Sequence, residues 1–321
     1  MKDTDYAFCV ARIRAVENKL LSKQDIVTLL NQKDYFSAVE FLSSKGYSCE
    51  NDDIDSVIRT EENKLSAFLK ESVPDSKELE SLYILNDYFN LKALVKCLIE
   101  KKNPIYSFIY PTTVIFDENK STSPEDLLNT LGEHHRKTAL EAYSYAAQSG
   151  NGRYCDVIID KAAIGRLTSL YRNKKSGLCG EIAALLADTA NIKTAFRCIA
   201  TGQNSDFVSD AIGECCNLDR QKLIKSTVIG SDELCNYLNT TDYRNCADIY
   251  KNKPADFEKW CDEEIYSKIS SAIFTCFGFD PVVSYYYRKS LEIKTVRMIL
   301  TAVKADADRQ IIKERLRNVY A

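Results

Sequence analysis

A short helical phrase returns three times along this chain at a fixed step, and that recurrence limits the fold more than any other feature. Asn90-Leu91-Lys92-Ala93 is answered by Asn191-Ile192-Lys193-Thr194 and by Glu292-Ile293-Lys294-Thr295, with 193−92=101 and 294−193=101. The apolar flank keeps the same register: Leu91, Leu94 and Leu98 become Ile192, Ala195 and Ile199, then Ile293, Val296 and Leu300. Solenoid repeats mostly fall at roughly 20–50 residues, so a step this long describes one small helical domain used three times.

Within the phrase, Ile84, Tyr88, Leu91, Val95 and Leu98 form one apolar seam, matched by Leu185, Thr189, Ile192, Phe196 and Ile199. Asp87 and Asn90 lie three apart on a neighbouring face, matched by Asp188 and Asn191, and Lys92 and Lys193 sit beside the seam. In the third copy Glu292, Lys294 and Arg297 lie on the helix and Lys289 stands where the aspartates stood. A polar residue that recurs at one register is expected to be semi-buried, where its hydrogen bond fixes how helices dock. The alternative is that these residues face a partner.

The rest of the chain also reads as helix. Residues 6–21 carry Val10, Ile13, Val16, Leu20 and Leu21 at three-to-four spacing with charges between them, which predicts a long amphipathic opening helix. Helix starts are predicted at Ser22, Ser123 and Ser231, each a serine followed by acids that suit the positive helix end. From Asp25 to Asp126 is 101 residues, but Asp232 follows 106 later, so loops of the third unit have shifted. Residues 103–123 and 201–231, punctuated by proline and glycine, read as connectors. The expected organisation is all-α, three similar helical domains at 1–117, 118–225 and 226–321.

Eleven glycines and six prolines among 321 residues suit long helices. A net charge of −3 argues against nucleic acid, whose phosphates demand a lysine and arginine excess. The twelve cysteines include no Cys-x-x-Cys pair and read as reduced, mostly buried residues. The two histidines, His134 and His135, point about 100° apart on a helix and suit no zinc site. The acidic start, Met1-Lys2-Asp3-Thr4-Asp5, is unlike a secretory signal and predicts a cytoplasmic protein, in which the pattern at Asn119 and Asn239 carries no weight. The weakly charged stretch 269–279 is about half of the roughly 20 residues that a membrane helix needs.

Catalytic patterns are missing from the sequence. Lys174-Lys175-Ser176-Gly177 puts its glycine on the wrong side of the lysines for a phosphate loop, and there is no Gly-x-Gly-x-x-Gly, Gly-x-Ser-x-Gly or His-Glu-x-x-His. His134-His135-Arg136-Lys137 reads as a solvated helix face, and Asp262-Glu263-Glu264 as surface charge. The expectation is a non-enzyme with no cofactor and no metal.

Two segments carry a resemblance. Gly278-Phe279-Asp280-Pro281, Ser284-Tyr285-Tyr286-Tyr287-Arg288-Lys289-Ser290-Leu291-Glu292-Ile293-Lys294-Thr295 and the closing Ile311-Ile312-Lys313-Glu314-Arg315-Leu316-Arg317 closely resemble the end of the C subunit of V-type and archaeal-type rotary ATPases, the AC39 family, whose vacuolar members are called the d subunit. The opening Ala11-Arg12-Ile13-Arg14-Ala15 and the Asn-Leu-Lys phrase are similar to that family's first helix and internal motif. The resemblance implies three domains in a pseudo-threefold funnel and a non-catalytic connector. Its partners would be the central shaft and the proteolipid ring of the ATPase, on the cytoplasmic face of a membrane. Ion transport, and ATP synthesis or hydrolysis, would belong to the complex. Arg12, Arg14, Arg315 and Arg317 on the terminal helices are expected to make ion pairs or partner contacts. The competing reading is a free helical scaffold with the phrase helices lining a peptide groove.

Overall fold

The computed structural model describes residues 3–49, 53–101, 124–149, 152–173 and 176–317, and every regular element among them is helical. In chain order the helices are α1 (Ala7–Val16), α2 (Lys23–Leu30), α3 (Tyr35–Ser44), α4 (Ile54–Ser72), α5 (Glu80–Glu100), α6 (Pro124–Thr130), α7 (Glu133–Ser149), α8 (Gly152–Arg172), α9 (Gly177–Ala200), α10 (Ser205–Ala211), α11 (Arg220–Ile229), α12 (Ser231–Asn239), α13 (Arg244–Asn252), α14 (Pro254–Ser270), α15 (Asp280–Lys304) and α16 (Arg309–Arg315). The chain divides into two compact units, one of Met1–Leu79 with Lys253–Ala321 and one of Glu80–Asn252. The three phrases lie in α5, α9 and α15, the longest helices apart from α8.

Local chemistry sets the helix ends. At α2, Ser22 accepts a bond from the Asp25 N–H at 3.1 Å while the Asp25 carboxylate accepts from the Ser22 N–H at 3.0 Å, a capping box. Pro281 falls in the first turn of α15, where a missing N–H costs nothing. The third predicted start is corrected: Ser231 is already inside α12, whose N-cap is Gly230 at φ +140° with no side-chain cap. The cap of this region is Asp219, which accepts from the N–H groups of Gln221 and Lys222 and starts α11. Ser123, the second predicted start, lies outside the described residues.

Residues 201–231 are likewise not a loop, because α10 and α11 fold within them. Two of their glycines mark helix boundaries: Gly202 at φ +61° follows the end of α9, and Gly230 separates α11 from α12. The opening helix is shorter than its periodicity predicts. It ends at Val16, a 3₁₀ turn follows at Glu17–Lys19, and Leu20 is extended, which turns Leu21 into the core.

In the first unit the core forms around α15. Ile293, Val296, Ile299, Leu300 and Val303 pack with Leu21, with Ile26 and Leu29 of α2, Leu42 of α3, and Val57 and Ile58 of α4. In the second unit Leu91, Leu94 and Val95 of α5 meet Ile159, Ile164 and Leu167 of α8, while Ala139, Ala142 and Ala146 let α7 approach closely. The Phe196 ring of α9 stacks on Tyr250 of α13 with centroids 4.4 Å apart. Each fully buried aliphatic side chain contributes roughly 1.5–3 kcal/mol.

Candidate functional site

Of the recurring polar positions, those of Asp87 and Asn90 lie inside the protein beside the seam, whereas Lys92 and Lys193 are half-buried and Lys294 is exposed. Leu91, Ile192 and Ile293 are 1%, 0% and 3% exposed, and Asn90, Asn191 and Glu292 are each 0% exposed. Asp87 and Asp188 are buried as well. A buried polar side chain is stable where its hydrogen bonds are made, so Asp188, Asn191 and Glu292 dictate what must pack against them.

On α9 the two residues act together on one loop. Asp188 accepts bonds from the N–H groups of Cys216 and Asn217, both at 2.8 Å, and from the Tyr243 hydroxyl at 2.9 Å. Asn191 accepts from the Gly213 N–H at 2.8 Å and donates to the Glu214 carbonyl at 2.9 Å. A Cβ on Gly213 would stand 2.9 Å from Ile164, so only glycine lets the loop lie this close to α8. Burial pushes the Asp188 carboxyl upward, opposed by its two backbone N–H bonds, and burial beside Asp188 raises the Tyr243 phenol strongly.

On α15 the acid has moved one turn along, and its partners come from the far end of the chain. Glu292 accepts from the Leu21 N–H at 2.5 Å and from the Tyr47 hydroxyl at 2.7 Å. Lys289, in the position of the aspartates, donates to Glu292 at 2.6 Å, pairs with the buried Glu61 at 3.4 Å and lies 4.5 Å from the Tyr47 ring centroid. The two sets match element by element. Leu218 and Leu21 are buried just before the caps Asp219 and Ser22, two short helices follow each cap, and a tyrosine closes each set, with 243−219=24 and 47−22=25.

On α5, Tyr88 is bonded to His134 Nε2 at 2.8 Å, and Lys92 pairs with Asp160 of α8 at 2.5 Å. His135 is half-buried beside the Tyr88 ring, so only part of the predicted solvated face at His134-His135-Arg136-Lys137 faces solvent. Lys193 is half-buried on α9. Lys294 pairs with Asp262 at 2.8 Å and Arg297 with Asp55 at 2.8 Å.

The terminal arginines differ among themselves. Arg14 pairs with Glu17 at 2.9 Å and donates to the Thr275 carbonyl at 2.6 Å, and Arg288 reaches the same Glu17 at 3.1 Å. Arg12 reaches Glu71 at 3.4 Å across an exposed face. Arg317 is buried and grips Asp262 through Nε at 3.0 Å and Nη2 at 2.6 Å, whereas Arg315 is exposed at the end of α16. Asp262 is therefore not the surface charge its acidic neighbours suggest, because two cations from α15 and the C-terminal segment compensate it inside the fold. Tyr47, Tyr243 and Glu61 escaped the sequence reading. The spacing of each tyrosine from its helix cap is the signal that finds the first two.

These features describe an all-helical protein in which Asp188, Asn191 and Glu292 hold segments of the same chain against their helices. The sequence model of the family described as ATP synthase (C/AC39) subunit matches residues 9–315, and the chain belongs to that family. It is also similar to the C subunit of the V-type sodium ATPase of Enterococcus hirae, at 25% identity over 325 residues that cover 96% of this chain and 97% of the relative.

Proposed function

We propose that this chain is the non-catalytic connector of a V-type rotary ATPase, seated between the rotating central shaft and the proteolipid ring and carrying torque between them. The observation that carries the reading is the family match over residues 9–315, nearly the whole chain. The interior suits such a task, since closely packed cores with satisfied polar groups transmit strain instead of absorbing it. No helix among the described residues is long and apolar enough to cross a membrane, so the ring would supply the membrane helices and this chain would dock at its cytoplasmic face. The three phrase helices would mark three similar units in a pseudo-threefold funnel, the third assembled from both ends of the chain.

The test is removal and restoration in the host enzyme. Without the chain, the ATP-hydrolysing head and shaft should fail to co-purify with the ring, and ion transport should be lost while the head still hydrolyses ATP. Adding the purified chain back should restore both. A holoenzyme that assembles and pumps at full rate without it would overturn the proposal.

A further inference from the structure

The two tyrosine–carboxylate sets differ in how far the chain travels to make them. Asn191 and Asp188 hold groups 22 to 55 residues downstream, whereas the donors to Glu292, Leu21 and Tyr47, are 271 and 245 residues away. Between those donors lie α2 and α3, of eight and ten residues, too short to hold a helix by themselves. Their buried residues, including Ile26, Leu29 and Leu42, pack in the cluster that contains Val296 and Leu300 of α15.

The chain on either side of this piece is pinned separately. Upstream, Glu17 is shared by Arg14 and Arg288; downstream, Asp55 at the start of α4 pairs with Arg297. The joints are an extended Leu20 and, just before Tyr47, Gly46 at φ +92°, a conformation that side chains disfavour.

We propose that residues 21–47 form a strap that opens from and closes onto α15 as one cooperative piece, with Glu292 as its latch. The latch binds both ends of the strap with one carboxylate: the Leu21 N–H at its start and the Tyr47 hydroxyl at its end. Lys289 of α15 holds that carboxylate in place and is itself paired with Glu61 of α4. In some proteins a buried ionic group specifies which segment docks more than it adds net stability, and the proposal gives Glu292 that role. Asparagine, present at this register in the other two phrases, is one carbon shorter and has a single acceptor oxygen. Opening would bare the apolar side of α15 while α1 and α4 stay in place.

Native-state hydrogen exchange on the full-length chain, read by mass spectrometry across low denaturant concentrations, tests this directly. The amides of α2 and α3 should converge on one shared opening, with lower protection than those of α8 and α9. Tyr47→Phe keeps the ring and removes the bond to Glu292 together with the longer one from Lys289 at 3.5 Å, so it should speed exchange of both strap helices roughly tenfold and leave α1, α4 and α8 unchanged. Glu292→Gln should speed it further; should that variant not fold, Tyr47→Phe decides alone. Independent exchange of α2 and α3, opening of the strap only together with α1 and α4, or no effect of Tyr47→Phe would each overturn the proposal.

Discussion

At the scale of single residues, burial decides what each position of the phrase does. Leu91, Ile192 and Ile293 occupy one register and are all buried, so replacing any of them by Ala should destabilise the chain by about 2–5 kcal/mol, measured by urea unfolding. Glu62 of α4 behaves differently from the paired carboxylates. Its Oε2 is buried without a hydrogen-bond partner among the described residues, and burial lifts its pKa from 4.5 to about 7, against the pull of Arg297 and Arg59. The folded state thus holds this proton more tightly than the unfolded state. Its contribution is fully present below pH 4.5 and is lost as pH rises towards 7. Glu62→Gln should therefore raise the stability at pH 7.5 by about 1–2 kcal/mol, a figure discounted for partial exposure, and leave it nearly unchanged at pH 4.5. Thermal melts of both proteins across that range check it, and equal pH profiles would remove Glu62 from the account.

At the scale of elements, caps and the seam do separate work. Asp219 caps α11 through two N–H bonds, whereas Ser231 lies inside α12 without a capping bond. Asp219→Ala should cost about 1 kcal/mol and Ser231→Ala only a few tenths, compared by chemical denaturation. The packing of α7 on α5 adds a proton-linked component of the opposite sign to that of Glu62. Burial lowers the pKa of His135 below its ordinary 6.5, so its contribution is present above that pH and is lost as pH falls through it. His135→Gln should flatten the acid limb of the stability profile near pH 6, followed by thermal melts between pH 5 and 7.

At the scale of the whole molecule, the three phrase helices ask how their units are arranged. Ile99, Ala200 and Thr301 occupy one register, with 200−99=101 and 301−200=101, and all three are exposed. Spin labels introduced there through a noncanonical amino acid, which avoids the twelve native cysteines, report three pairwise distances by electron–electron double resonance. Near-equal distances are the expected outcome for the proposed pseudo-threefold arrangement. A distance between the outer pair near twice the others would indicate a linear array of repeats instead.

What the sequence determined by itself is local and periodic. The helical content, the register of the phrase, the buried seam and the cap at Ser22 all follow from residues within a turn or two of one another, and family membership followed from short motifs at the two ends. What only the tertiary structure decided is which segments complete the cores. The residue at position 292 reads as one more repeat polar group until its partners are seen to be Leu21 and Tyr47, and Asp262 reads as surface charge until Arg317 and Lys294 close on it. The third helix start was misplaced for a related reason: Ser231, followed by two acids, reads as the cap, while Asp219, followed by Arg220 and Lys222, becomes one where the loop held by Asp188 and Asn191 ends. Helix periodicity is written in neighbouring side chains, whereas a hydrogen bond between residues 245 or 271 positions apart leaves no pattern along the chain.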